Sequence, residues 1–189
     1  MSSSSDHNRY RNHNCHGYSS EFRPILLSLN QTLTNLQQVP GADCPPASSA
    51  VPLLRLWNPT ISDHFYTASL AEANSLINGG GYLRERDTGR IFTQQFPGTV
   101  PLHRLYDPDI TDHYYTSTDP LDLPGYHVET ITGYVYPNSV CGGIPLYRMW
   151  SGTATDHFYT ESPVDVNNAE HAGQQYTLDH VDGYVLPSQ

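Results

Sequence analysis

The chain of 189 residues contains no lysine; all nine of its basic residues are arginine. Against them stand 19 Asp and Glu, for a formal net charge of −10. The imbalance lies late in the chain. Residues 51–189 carry 16 acidic groups and six arginines, whereas residues 1–50 carry three of each. An acidic surface repels phosphate backbones, so nucleic acid is not an expected partner. An anionic membrane surface is disfavoured for the same reason. No apolar run is long enough to span a bilayer, so no membrane insertion is expected. Met1 to Tyr10 lacks the charged-then-apolar pattern of a signal peptide, and the run from Ile25 to Leu36 is broken by polar residues. Three cysteines, Cys15, Cys44 and Cys141, are too few for a disulfide scaffold and enough for one bridge. There is no Gly-x-Ser-x-Gly elbow, no metal-spaced His/Cys set and no phosphate-binding glycine loop. His7, His13, Cys15 and His16 fall in a polar stretch with nothing to fix their geometry. Neither a metal nor a cofactor is expected.

What the chain does have is a phrase said three times. Asp63-His64-Phe65-Tyr66-Thr67 returns as Asp112-His113-Tyr114-Tyr115-Thr116 and as Asp156-His157-Phe158-Tyr159-Thr160. Each is preceded by a second phrase: Pro52-Leu53-Leu54-Arg55-Leu56-Trp57, Pro101-Leu102-His103-Arg104-Leu105-Tyr106 and Pro145-Leu146-Tyr147-Arg148-Met149-Trp150. In all three the proline lies eleven residues before the aspartate and the arginine eight before it. A third phrase follows, seen as Gly81-Tyr82 with Glu85, Gly125-Tyr126 with Glu129, and Gln175-Tyr176 with Asp179. It closes on Gly89, Gly133-Tyr134-Val135 and Gly183-Tyr184-Val185. Such repetition divides the chain into a disordered tail (1–21), an extension and linker (22–50) and a threefold-repeat β domain (51–189), with units 51–100, 101–144 and 145–189.

Within a unit, two strands flank a turn signal such as Asn58-Pro59-Thr60. Pairing them as an antiparallel hairpin sets Trp57 opposite His64 and Arg55 opposite Tyr66. Ser69 with Glu72 three residues on predicts a helical turn opened by a capping box, ending near Asn78 to Gly81. Two more strands complete the unit. Four short strands per unit, three times over, predict an all-β, threefold pseudo-symmetric fold: a β-trefoil, with the β-prism as the alternative. A β-propeller is set aside, because three blades fall below the usual minimum of about four.

The three phrases, in order from about Cys44 to Pro187, resemble a short repeat family of uncharacterised function common in secreted fungal and bacterial proteins, alone or appended to hydrolases. Members usually begin with a signal peptide, and the first unit departs in reading Gly89-Arg90-Ile91-Phe92. The resemblance implies secretion or a cell-surface location; the lack of a visible signal peptide keeps a cytoplasmic alternative open. Cys44 and Cys141 lie in the lead-ins to the first and third units, at the same end of a closed threefold fold. They are therefore the expected disulfide, with Cys15 the odd thiol.

Adjacent strand residues face opposite ways, so Asp63 and His64 do not act together as an acid/base pair, and no enzyme activity is expected. Sugar recognition needs an aromatic face and planar polar groups. The expected ligand-binding residues are Trp57, Asp63, His64 and Tyr66; Tyr106, Asp112, His113 and Tyr115; and Trp150, Asp156, His157 and Tyr159. Up to three weak sites would add by avidity on glycans or glycoproteins, which makes a lectin the leading reading. The alternatives are a protease inhibitor acting through the connectors Ser69–Gly80 and Ser162–Gln174, and a structural or adhesive module. Asp63 is a further candidate for capping the hairpin loop. Arg55, Arg104 and Arg148 are expected to be buried against acids.

Overall fold

The computed structural model describes residues 44–120 and 123–189. The tail, most of the extension and Cys15 lie outside these residues. After a short 3-10 turn at Ala47–Ser49, the chain is built of antiparallel strands and two helices. No described helix is long and apolar enough to cross a membrane.

Each unit starts with the expected hairpin. In the first, β2 (Leu54–Asn58) pairs β3 (Asp63–Thr67), with Trp57 opposite His64 and Arg55 opposite Tyr66. In the second, β6 (Val100–Asp107) pairs β7 (Asp112–Thr116), and in the third β9 (Ile144–Ser151) pairs β10 (Asp156–Thr160), in the same register. The loops are held by Asn58, Asp107 and Ser151, whose side-chain oxygens accept from the backbone N–H of Thr60, Asp109 and Ala154. That is the role considered for Asp63, which instead turns inward. Phe65 and Phe158 are buried on the face opposite Tyr66 and Tyr159, so these strands are covered on both sides and do not show the half-buried alternation of a solvent-facing sheet.

Ser69 accepts from the N–H of Glu72 and opens α1 (Leu70–Gly79). Ser162 does the same for α2 (Pro163–His171) through Asp165. The connector of the second unit is too short for a counterpart. Beyond the connectors, β4 (Leu83–Arg84), β8 (His127–Val135) and β11 (Thr177–Val185) pair with β2, β6 and β9 on the side away from the hairpin partner. The results are three antiparallel sheets, β3-β2-β4, β10-β9-β11 and a larger one in which β1 (Ala50–Pro52) and β5 (Arg90–Phe92) extend β8-β6-β7. The fold is thus mostly β, as expected. None of the three sheets closes on itself, so the single closed sheet of a trefoil barrel is not formed by the described strands.

The sheets meet along β3, β7 and β10, and the contact is made by tyrosine. The Tyr115 hydroxyl accepts from the N–H of Tyr66 at 2.7 Å and donates to its carbonyl at 2.9 Å. Tyr159 does the same to Tyr115, and Tyr66 to Tyr159. Each hydroxyl thereby replaces the neighbouring strand that a continuous sheet would supply, satisfying a buried N–H and C=O. The rings lie edge to face, with centroids 5.3–5.4 Å apart. Around them packs a core drawn equally from the units: Leu53, Leu102 and Leu146; Ile91, Val135 and Val185.

A second tie lies at the unit ends, where Phe92 pairs Tyr134, Tyr136 pairs Tyr184 and Arg90 pairs Leu186. The glycine of the third phrase is required here. A Cβ on Gly183 (φ +87°) would come within 2.6 Å of the Val135 side chain, and one on Gly133 within 2.6 Å of Ile91.

Cys44 and Cys141 are bridged, as expected, with Cα atoms 5.6 Å apart. The bridge ties the lead-in of the first unit to that of the third. Replacing both cysteines with serine is expected to cost about 2–4 kcal/mol, because it frees a loop of 97 residues' separation in the unfolded chain. Urea unfolding of the two proteins checks it; equal midpoints would mean that the bridge does not restrict the unfolded chain appreciably.

Candidate functional site: the clefts between units

The Asp-His phrase works across units. The Asp156 carboxylate accepts from the backbone N–H of His64 at 2.8 Å and from its Nδ1 at 2.6 Å. Asp63 takes the same pair of bonds from His113, and Asp112 from His157. A tyrosine hydroxyl from the same unit completes each set: Tyr82 on Asp63, Tyr126 on Asp112 and Tyr176 on Asp156. Nδ1 must carry a proton to donate to a carboxylate; Nε2 of His64 and of His113 lies 3.7 and 3.8 Å from Glu85 and Glu129. Burial lifts the Asp156 carboxyl above its usual range, with His64 and the hydrogen bonds pulling the other way. Burial and the adjacent carboxylates push the hydroxyls of Tyr82, Tyr126 and Tyr176 well up, so they stay protonated donors.

The three aspartates approach one another closely, with one oxygen of each within 4.8 Å of the others, and all are fully buried. Their oxygens are taken by N–H and O–H donors. The cluster is accounted for as a hydrogen-bond network.

Outside each histidine lies an arginine. Arg55 sits over the Phe158 ring, Arg104 over Phe65 and Arg148 over Tyr114, each 4.5–4.9 Å from the ring centre on another unit. All three are buried against acids, as expected; of the two acid sets open in the sequence, Asp63/Asp112/Asp156 and Glu85/Glu129/Asp179, the partners are Glu85, Glu129 and Asp179 at 2.7–2.9 Å. A second acid comes from a helix of the neighbouring unit: Asp165 at 3.4 Å for Arg55, Glu72 at 3.0 Å for Arg104. With no helix among the described residues of the second unit, Arg148 turns to Asp182 at 2.8 Å. Asp182 occupies the position of Thr88 and Thr132 in the other units. The substitution supplies the carboxylate that the short connector cannot.

This geometry revises the expected ligand contacts. Asp63, Asp112, Asp156, Tyr66, Tyr115 and Tyr159 are at most 1% exposed and fully engaged, so none can touch a ligand. Trp57, Tyr106 and Trp150 stay half-buried and lie against His64, His113 and His157, ring centres 4.3–4.6 Å apart. They hold the imidazoles in place. Of the expected contacts, His64 lines a cavity of about 260 Å³ between the first and third units. Its other walls are Arg55, Glu85, Phe158, Asp165, Asn168, Ala169, Gln174 and neighbours. The α2 residues were not among the expected contacts; their Ser162/Asp165 cap, equivalent to Ser69/Glu72, was the signal available for a helix there.

A family described as a domain of unknown function, DUF5648, matches residues 30–120 and, in an overlapping alignment, residues 52–186. The chain belongs to this DUF5648 family. The longer match takes in all three Asp-His phrases, so the DUF5648 region contains every residue of the inter-unit clefts described above. No curated protein and no solved structure matches the chain.

Proposed function

We propose that the protein is a carbohydrate-binding module that takes one sugar ring in the cleft between its first and third units. The observation that carries this is the cavity wall. A guanidinium, an imidazole, two carboxylates and two amides, all planar polar groups, line an open cleft of about 260 Å³. That is slightly below the roughly 300–1,000 Å³ of drug-sized ligand pockets. Vicinal hydroxyls can bridge such groups in pairs, and Ala169, Ala172 and the Phe158 edge offer the apolar contact. The equivalent residue sets Arg104/His113/Glu129 and Arg148/His157/Asp179 are the basis for up to three sites on a multivalent glycan. The three copies of each cross-unit contact support a threefold architecture of three blade-like sheets meeting along β3, β7 and β10, in place of a trefoil barrel. The disulfide fits an oxidising compartment, hence a secreted or cell-surface protein.

The protease-inhibitor reading loses its reactive elements, since both long connectors are helical rather than extended. A glycan array run beside a protease-inhibition panel separates the readings. Asn168→Ala and Gln174→Ala are expected to weaken glycan binding, each by about 0.5–1.5 kcal/mol for one lost hydrogen bond. Protease inhibition without glycan binding, or glycan binding untouched by both substitutions, rejects the proposed site.

A further inference from the structure

Resting on the carbohydrate reading, we infer that the cleft selects a basic sugar, one bearing a free ammonium group, over neutral and acidic ones. The charges around the cavity do not cancel. Glu85 and Asp165 both face it, and Arg55 alone bridges them, with Nε 2.9 Å from Glu85 and Nη1 3.4 Å from Asp165. The second contact is long, so the Asp165 carboxylate retains capacity for another donor. Asp165 also accepts from Thr160 at 3.0 Å, a neutral donor that leaves its charge in place. Behind the cavity, Asp156 adds a third carboxylate through His64, whose Nε2 lies 3.7 Å from Glu85. The arginine cannot swing out to meet an anion, because its guanidinium is stacked over Phe158 at 4.9 Å.

The remaining walls do not reverse this balance. Asn168, Gln174, Ala169 and Ala172 are neutral, and Tyr176 is committed to Asp156. The surrounding domain is itself acidic, with 16 acidic groups to six arginines over residues 51–189. A uronate or sialate carboxylate would enter against Glu85 and Asp165 with its natural partner already taken. An ammonium group would instead complete the pair that Arg55 only half satisfies, in a partly desolvated site where a charge-assisted bond is stronger than a neutral one. A hexosamine places that group on a ring of the right size.

The test is isothermal titration of the intact protein at pH 6, where the amine carries its proton. Glucosamine is compared with glucose, galactosamine with galactose, and glucuronate supplies the anion. In at least one pair the amino sugar is expected to bind tenfold or more tightly than its parent, with glucuronate weakest. Glu85→Gln and Asp165→Asn each keep the side-chain shape and remove one charge, and each should reduce that ratio at least threefold. Equal binding of amino and neutral sugars, tighter binding of glucuronate, or a ratio unchanged in both variants overturns the inference while leaving the carbohydrate reading intact. Binding of none of the five sugars overturns both.

Discussion

Replacing Tyr115 with phenylalanine is expected to destabilise the protein by about 2–6 kcal/mol, for the loss of a single oxygen. The Tyr115 hydroxyl is bonded to both the N–H and the C=O of Tyr66, and Tyr115 is 1% exposed. Removing the oxygen leaves two backbone groups buried without partners, and each costs about 1–3 kcal/mol. The ring itself is unchanged, so no cavity contributes. Tyr66→Phe and Tyr159→Phe should cost similar amounts, because they serve equivalent bonds. Chemical denaturation of the three single variants reads this out. A loss under 1 kcal/mol in all three would mean that water reaches these backbone groups.

Arg148→Ala is expected to cost about 3–5 kcal/mol, the usual penalty for breaking a buried pair from one side. Asp182 is fully buried and its ion pair is with Arg148. The loss has a pH signature. Burial raises the Asp182 carboxyl above its usual 3.8, while Arg148 lowers it. The folded state therefore holds this proton more tightly than the unfolded chain does. Stability from this group is complete below 3.8 and declines as pH rises through the folded value. Without Arg148 that value climbs further, so the variant's deficit should be largest near neutrality and shrink toward pH 4. A deficit independent of pH would assign the effect to lost packing on Tyr114 alone.

The hairpins were legible in the sequence because fixed offsets between phrases leave only one register. Trp57 opposite His64 follows from counting residues; that Arg55 meets an acid was expected, but Asp63 and Glu85 were both open as its partner. Who meets whom between units was not legible. Asp63 and His64 do face apart, and the sequence argument stopped there. It could not reveal that each residue finds the complement of its own neighbour on another unit. Identical phrases carry no label for which copy lies beside which. The buried Asp and Tyr members of the expected ligand set were misplaced for the same reason: a tyrosine that closes a ring of backbone bonds reads no differently from one that stacks on a sugar. The choice of a barrel over separate sheets also turned on this, since the tyrosine hydroxyls substitute for the ladder that a closed sheet requires.

All of these contacts run in one direction. His113, Tyr115, Arg104 and Gly133 of the second unit engage the first; the third engages the second, and the first engages the third. Such a head-to-tail interface has a donor side and an acceptor side that differ, and it terminates only when the rotation returns to its start. Here it does so after three steps. No unit supplies the carboxylate for its own histidine or the hydroxyl for its own central tyrosine backbone, so an excised unit would be left with both sides open and would be complete only as a cyclic homotrimer. A chain carrying two units would expose one unmatched donor side and one unmatched acceptor side, with a third copy as their shared complement. The number of units in the chain is therefore set by the angle of the contact, and the covalent linkers serve to supply three copies in a fixed ratio.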